Sequence, residues 1–187
     1  MRLMIIWGSS RTGRKGGVVA QWVKHQAEAD GRFEVDFVDL KEVALPFFDE
    51  PLSPSEIKSP DGYTHPAGRQ WAKRVGKADG FILVTPEYNR GTSAVLKNAL
   101  DWVGSQWRDK PVGLIGYGGI IGGAFSISHL RHNTVHLGLV QLPAAIHFPN
   151  FSKAFDDKGR PLELDYYEAN IKKMFGGLER LHKIFQK

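Results

Sequence analysis

The 187-residue sequence contains no cysteine. That absence excludes disulfides, thiolate metal sites, cysteine nucleophiles and thioredoxin-type motifs together, so any redox chemistry has to be borrowed from a cofactor. Long apolar runs are missing too. None approaches the roughly 20 residues that span a bilayer, and the opening MRLMIIWG is too short and lacks the small-residue cleavage pattern of a secretory signal. The expectation is a cytoplasmic chain without a membrane partner. Blocks of about five or six like charges are also lacking. Despite a net charge of +5, residues 31–61 hold eight carboxylates against three cations. Nucleic-acid binding requires a clustered basic face, so none is expected.

What is present suits a folded chain. A hydrophobic fraction of 42% against 24% charged residues lies far from the composition of disorder. A chain of this length buries roughly 70% of its unfolded surface around one core, which predicts a single domain over 1–187.

Leu3 to Trp7 is a short apolar run rich in β-branched residues, the pattern of a strand covered on both faces. Val18, Val19, Trp22, Val23 and Gln26 follow at helical spacing until Asp30-Gly31. Phe33 to Leu40 alternates apolar and acidic residues as a half-covered strand does, with Phe33, Val35 and Phe37 on one side. Pro46 to Pro66, with five prolines, reads as a long irregular loop, functional or mobile.

The second half repeats the alternation. A helix over Ala67–Ala78 precedes the strand Phe81–Val84, and a helix over Ser93–Val103 precedes the strand Val112–Ile115. Trp102 and Trp107 are either core residues or a subunit contact. A further helix covers Ala124–Leu137. Gln141–Ile146 is a fifth strand, with Pro143 favouring its first or an edge position. From Tyr166 onward Tyr167, Ile171, Met174, Leu178, Leu181 and Phe185 mark a terminal helix, in which Gly176-Gly177 calls for close packing. Strands alternating with helices predict an α/β fold, a doubly wound five-stranded parallel sheet in three layers. Ligands of such sheets bind beyond the carboxyl ends of the strands.

Three unusual loops fall at those ends. The first, Gly8-Ser9-Ser10-Arg11-Thr12-Gly13-Arg14-Lys15-Gly16, brings main-chain amides, hydroxyls and cations to a helix start, which suits a phosphate; the alternative is a solvated turn. It is not a Walker A loop, because Arg14 stands at the lysine position and Lys15 where a magnesium-binding hydroxyl belongs. The G-x-G-x-x-G fingerprint is absent as well. The second loop, Thr85-Pro86-Glu87-Tyr88-Asn89-Arg90-Gly91, places an aromatic and an amide at a strand end stiffened by proline. The third, Gly116 to Gly123, has five glycines in eight residues and lets main chain approach a flat ligand. A phosphate at one end and a flat ring between two loops describe flavin mononucleotide, FMN.

At these residues the sequence resembles the NADPH-dependent FMN reductase family of quinone, azo and chromate reductases. GSSRTGRKG after the first strand, TPEYNRGTSAVLKNALDW after the third and YGGIIGG before a helix bearing Leu130-Arg131 carry the resemblance, from Leu3 to about Leu142. It implies a flavodoxin-like fold and FMN as cofactor, with NADPH or NADH as electron donor. By position, Ser9, Arg11, Arg14, Lys15 and Gly16 would hold the flavin phosphate. Pro86, Glu87, Tyr88 and Asn89 would line the ring and ribityl chain, with Gly118 and Gly119 on the other side. Tyr117-Gly118-Gly119 replaces a serine before Pro-Gly, and Phe125 replaces a common arginine. No position beyond Pro149 is given a role.

The implied reaction passes a hydride from nicotinamide to bound FMN, then electrons to a small acceptor such as a quinone, free flavin, azo compound or metal oxyanion. The rival is a flavodoxin-like carrier reduced by a protein partner, against which the basic charge weighs. No general acid or base is assigned, Glu87 being expected to orient its own loop. A homodimer or homotetramer is expected. His129, His132 and His136 share a helix face, but Asn133 replaces the glutamate of a metalloprotease, so no metal is expected.

Overall fold

In the computed structural model, which describes residues 1–185, the first apolar run is an inner strand of a parallel sheet. β1 (Arg2–Trp7) lies between β2 (Glu34–Asp39) and β3 (Gly80–Pro86). β4 (Pro111–Tyr117) follows β3, and β5 (Val140–Gln141) and β6 (Ile146–Phe148) pair in tandem along β4. The order β2-β1-β3-β4-β5 puts the switch point between β1 and β3. Positions 186 and 187 of the expected 1–187 unit lie outside the described residues.

The helices are α1 (Gly17–Asp30), the single turn α2 (Leu40–Val43), α3 (Pro66–Lys77), α4 (Ala94–Asp101), α5 (Ala124–His136) and α6 (Leu164–Phe185). Side chains alternate along each strand, so one sheet buries two cores. Leu3, Ile5, Trp7, Ile82 and Val84 pack with α1 and α6. Met4, Ile6, Phe81, Leu83 and Leu114 pack with α3, α4 and α5. This is the three-layer α/β/α arrangement. Among the described residues no helix is long and apolar enough to cross a membrane.

The expected strand Gln141–Ile146 is two strands. Pro143 has no N–H for the ladder, and Arg131 instead donates to the Leu142 and Pro143 carbonyls at 3.3 and 2.7 Å. Trp102 and Trp107 are fully buried within this chain, which removes them as subunit contacts. Their indole N–H groups donate to the Pro46 and Leu100 carbonyls at 2.7 and 3.1 Å. A buried tryptophan removes about 150–250 Å² from water, worth ~4–6 kcal/mol against an extended chain. Trp102 thereby explains the 46–66 segment, which is anchored rather than loose. Tyr63 and Phe48 pack on its ring. Glu50 accepts from the Thr64 N–H, the Thr64 hydroxyl and the His65 N–H at 2.7–2.9 Å. In the terminal helix only Gly177 has the expected close packing, against Leu142; Gly176 meets nothing within 4 Å.

Candidate active site

The sheet ends in a cleft of ≈490 Å³, within the roughly 300–1,000 Å³ of small-molecule sites. Its walls come from the three predicted loops and from one segment that was not predicted.

The first wall begins where β1 stops. Gly8 still donates to the Val84 carbonyl at 2.9 Å, and its own carbonyl accepts from the Ser93 hydroxyl at 2.6 Å, so the loop leaves the sheet at a fixed point. Ser9 is fully buried, its hydroxyl 3.2 Å from the Tyr88 hydroxyl. α1 starts on Gly16 without a side-chain cap, and Gly16 lines the cleft, so the positive helix end lies beside it. A Cβ on Gly16 would lie 2.1 Å from the Tyr117 ring, so glycine is what allows that ring to stand there.

The loop cations differ in what they contact. Arg14 donates to both Asp39 carboxylate oxygens at 2.5 and 2.6 Å and to the Ser9 carbonyl at 2.6 Å, and its guanidinium lies 3.9 Å from the Trp7 ring centre. Arg11 and Lys15 are exposed at the cleft and take part in none of the ion pairs among the described residues.

The second wall follows β3. Pro86, Glu87 and Tyr88 line the cleft, and Tyr88 and Gly91 exchange backbone hydrogen bonds at 3.0 Å around a turn with Asn89 and Arg90 at positive φ. Asn89 is at the exposed tip of that turn, outside the cleft lining. The expected role of Glu87 within its own loop is corrected: its carboxylate accepts from the Phe125 and Ser126 amides at the start of α5. The carboxylate is drawn there because the α5 N-cap is Gly123, with no side chain to cap that end. Over the Phe125 ring, 4.6 Å from its centre, stands the Arg90 guanidinium.

Gly118 and Gly119 form the third wall with Tyr117. Burial pushes the Tyr117 phenol up to about 12, against the lowering effect of the Trp7 indole N–H that donates to it at 3.2 Å. The phenol therefore stays neutral in the physiological range. Asn150, Phe151 and Ser152 complete the lining, to which no sequence role had been given. The Asn150 and Phe151 amides donate to the Gly119 and Gly118 carbonyls at 2.7 and 3.2 Å, and Phe151 packs on the Tyr117 ring. Pro149 and Asn150, two turn-favouring residues at a strand end, are the signal the sequence offers there.

His129, His132 and His136 are exposed on α5, and among the described residues no group of three His, Cys, Asp or Glu side chains could hold a metal ion.

A doubly wound sheet with an anion-suited loop and a glycine-rich wall at its switch point has the features that suit a phosphate-bearing, flat ligand. The chain belongs to the NADPH-dependent FMN reductase family, whose sequence profile matches residues 1–153. It is 33% identical over 182 residues to an NAD(P)H-dependent FMN reductase of Schizosaccharomyces pombe, covering 96% of this chain and 90% of that one. It is also 33% identical to an FMN-dependent NADPH-azoreductase of Staphylococcus haemolyticus, over 92% and 90% of the two chains. The flavoenzyme NAD(P)H:(acceptor) oxidoreductase of Paracoccus denitrificans superposes with a TM-score of 0.69 at 22% identity, over 99% and 97%. A flavodoxin of Pseudomonas aeruginosa does so with 0.57 at 15%, over 96% and 99%. The fold is flavodoxin-like, and the chain is an NAD(P)H-dependent oxidoreductase with FMN as cofactor.

Proposed function

We propose that FMN is held in this cleft, with its phosphate on the Ser9–Gly16 loop and its ring between Pro86–Tyr88 and Gly118–Gly119. The observation that carries this reading is the meeting, in one cleft, of an uncapped helix start, two cations without an ion-pair partner among the described residues, and a wall of glycine main chain. Each cation at ~4 Å from a unit negative charge is worth about 4 kcal/mol at an effective dielectric of 20, before screening and entropy. Arg11 and Lys15 together therefore suit a phosphate. Ser9 contributes its hydroxyl and amide from a buried, fixed position. Bound FMN supplies the two-electron chemistry that these cysteine-free side chains lack.

The protein's part is binding and orientation. Pro86 and the Glu87 bridge to α5 stiffen one wall, and the hydrogen bonds from 150–151 to 118–119 stiffen the other. The acceptor is a small planar molecule of the quinone or azo class, exchanged with nicotinamide at the open side. One domain, a homodimer or homotetramer and a cytoplasmic location complete the proposal. Self-association would use exposed apolar residues such as Phe47 and Ile120, since Trp102 and Trp107 are internal.

Anaerobic mixing of the FMN-loaded protein with NADPH tests the reading. Bleaching of the flavin without any protein partner is expected; a flavin that stays oxidised would sink it. Sedimentation at several concentrations tests the oligomer.

A further inference from the structure

Asp39 ends β2, in register with Trp7 at the end of β1. Its carboxylate accepts both terminal nitrogens of Arg14 and, in addition, the Lys41 amide at 2.9 Å. Both charged side chains are largely covered, with 15% of Arg14 and 10% of Asp39 exposed. The same Arg14 guanidinium donates to the Ser9 carbonyl and stacks on Trp7, whose indole N–H reaches Tyr117 in the cleft wall.

We infer that Asp39 is a positioning residue for the phosphate loop, acting through Arg14, and that Arg14 is not itself a phosphate ligand. The inference rests on the FMN reading for its ligand, not for its geometry. To reach a phosphate, Arg14 would have to give up a bidentate, charge-assisted pair in a poorly solvated place and its aromatic stack. Held where it is, it ties the first residue of the loop, Ser9, and its own position five residues on, to one carboxylate at the sheet edge. The intervening amides are then set before the ligand arrives, and the ordering cost of binding falls. The charge that meets phosphate is left to Arg11 and Lys15. Sequence resemblance groups Arg14 with those two; the side-chain contacts separate it.

The test compares D39N, R14Q and R11A. FMN affinity of the apoprotein is titrated at several salt concentrations, and backbone amide exchange of residues 9–16 is followed without flavin. Loss of positioning is expected to weaken FMN about tenfold in D39N and in R14Q, with the D39N/R14Q double variant no worse than either single one. The slope of log Kd against log salt should stay at the wild-type value in both, whereas R11A flattens it. Loop amides of the apoprotein should exchange faster than in wild type in D39N and R14Q and at the wild-type rate in R11A.

A flatter salt slope in R14Q, or tighter FMN binding with a steeper slope in D39N, would show Arg14 to be a phosphate ligand and overturn the inference. Unchanged loop exchange in D39N would overturn it as well, whether or not flavin binds. A wild-type protein that binds no FMN defeats the cofactor reading instead, while the exchange comparison still decides the role of Asp39.

Discussion

The Glu87 carboxylate accepts a hydrogen bond from the Phe125 amide at 2.9 Å and a longer one from Ser126 at 3.4 Å. A residue of one cleft wall thus caps the helix that leaves the other. E87Q keeps an acceptor and removes the charge, which should cost about 0.3–1 kcal/mol at this helix end. E87A removes both and should cost ~1–2 kcal/mol. Urea unfolding measures the two. Equal stability of E87A and wild type would show that the cap contributes nothing.

Gly16 and Gly119 both line the cleft but differ in surroundings. Alanine at 16 would drive a methyl into the Tyr117 ring, while alanine at 119 meets nothing within 4 Å. G16A should therefore lose stability by about 1–3 kcal/mol through overpacking and displace Tyr117. G119A should stay within roughly 0.5 kcal/mol of wild type. Any loss of FMN affinity in G119A then reports close approach of the ligand to that glycine rather than damage to the fold. Thermal unfolding with and without FMN separates these outcomes.

Arg11 has no carboxylate partner among the described residues, and its charge faces the cleft. R11A should weaken FMN binding, and the weakening should shrink as salt rises, because screening removes from wild type what the substitution removes from the variant. Flavin titration at low and high ionic strength measures this. Equal affinity of R11A and wild type at low salt would remove Arg11 from the phosphate site.

Glu50 reports on the anchored 46–66 segment. Burial alone would raise its carboxyl, but hydrogen bonds from His65 and Thr64 outweigh burial and hold it below the model-peptide value of 4.5. A lowered folded-state value means that the stabilisation is present above the unfolded value and is lost as pH falls through the folded one. E50Q should lower the urea midpoint at pH 7, and the difference from wild type should narrow on the acid side of 4.5. A constant difference down to strong acid would exclude the ionised carboxylate as the cause.

The alternation of apolar runs and helical stripes was legible because both elements bury a periodic face. It placed β1, β3 and β4, and their ends located the cleft. Gln141–Ile146 reads as a single strand because apolar content signals burial but does not count ladder hydrogen bonds, which Pro143 interrupts. Apolar content leaves Trp102 and Trp107 between core and interface for a similar reason. Only the folded chain shows that the cover is its own, with Pro46, Phe48 and Tyr63 against Trp102 and with Trp71 and Phe81 against Trp107.

For the site, residue chemistry sufficed to propose an anion loop, a proline-stiffened loop and a glycine loop at adjacent strand ends, because amides, hydroxyls and glycines act locally. Partner choice is not local. Arg14 faces Asp39 from 25 residues away, Glu87 reaches α5 from 38, and Phe151 joins Tyr117 from the segment after β6. Periodicity and side-chain type are enough to give the layers of this protein and the ligand class its loops suit. Tertiary structure alone decided which cations remain available and which residues close the cleft, since a charge is claimed by whichever opposite charge the folded chain brings within contact.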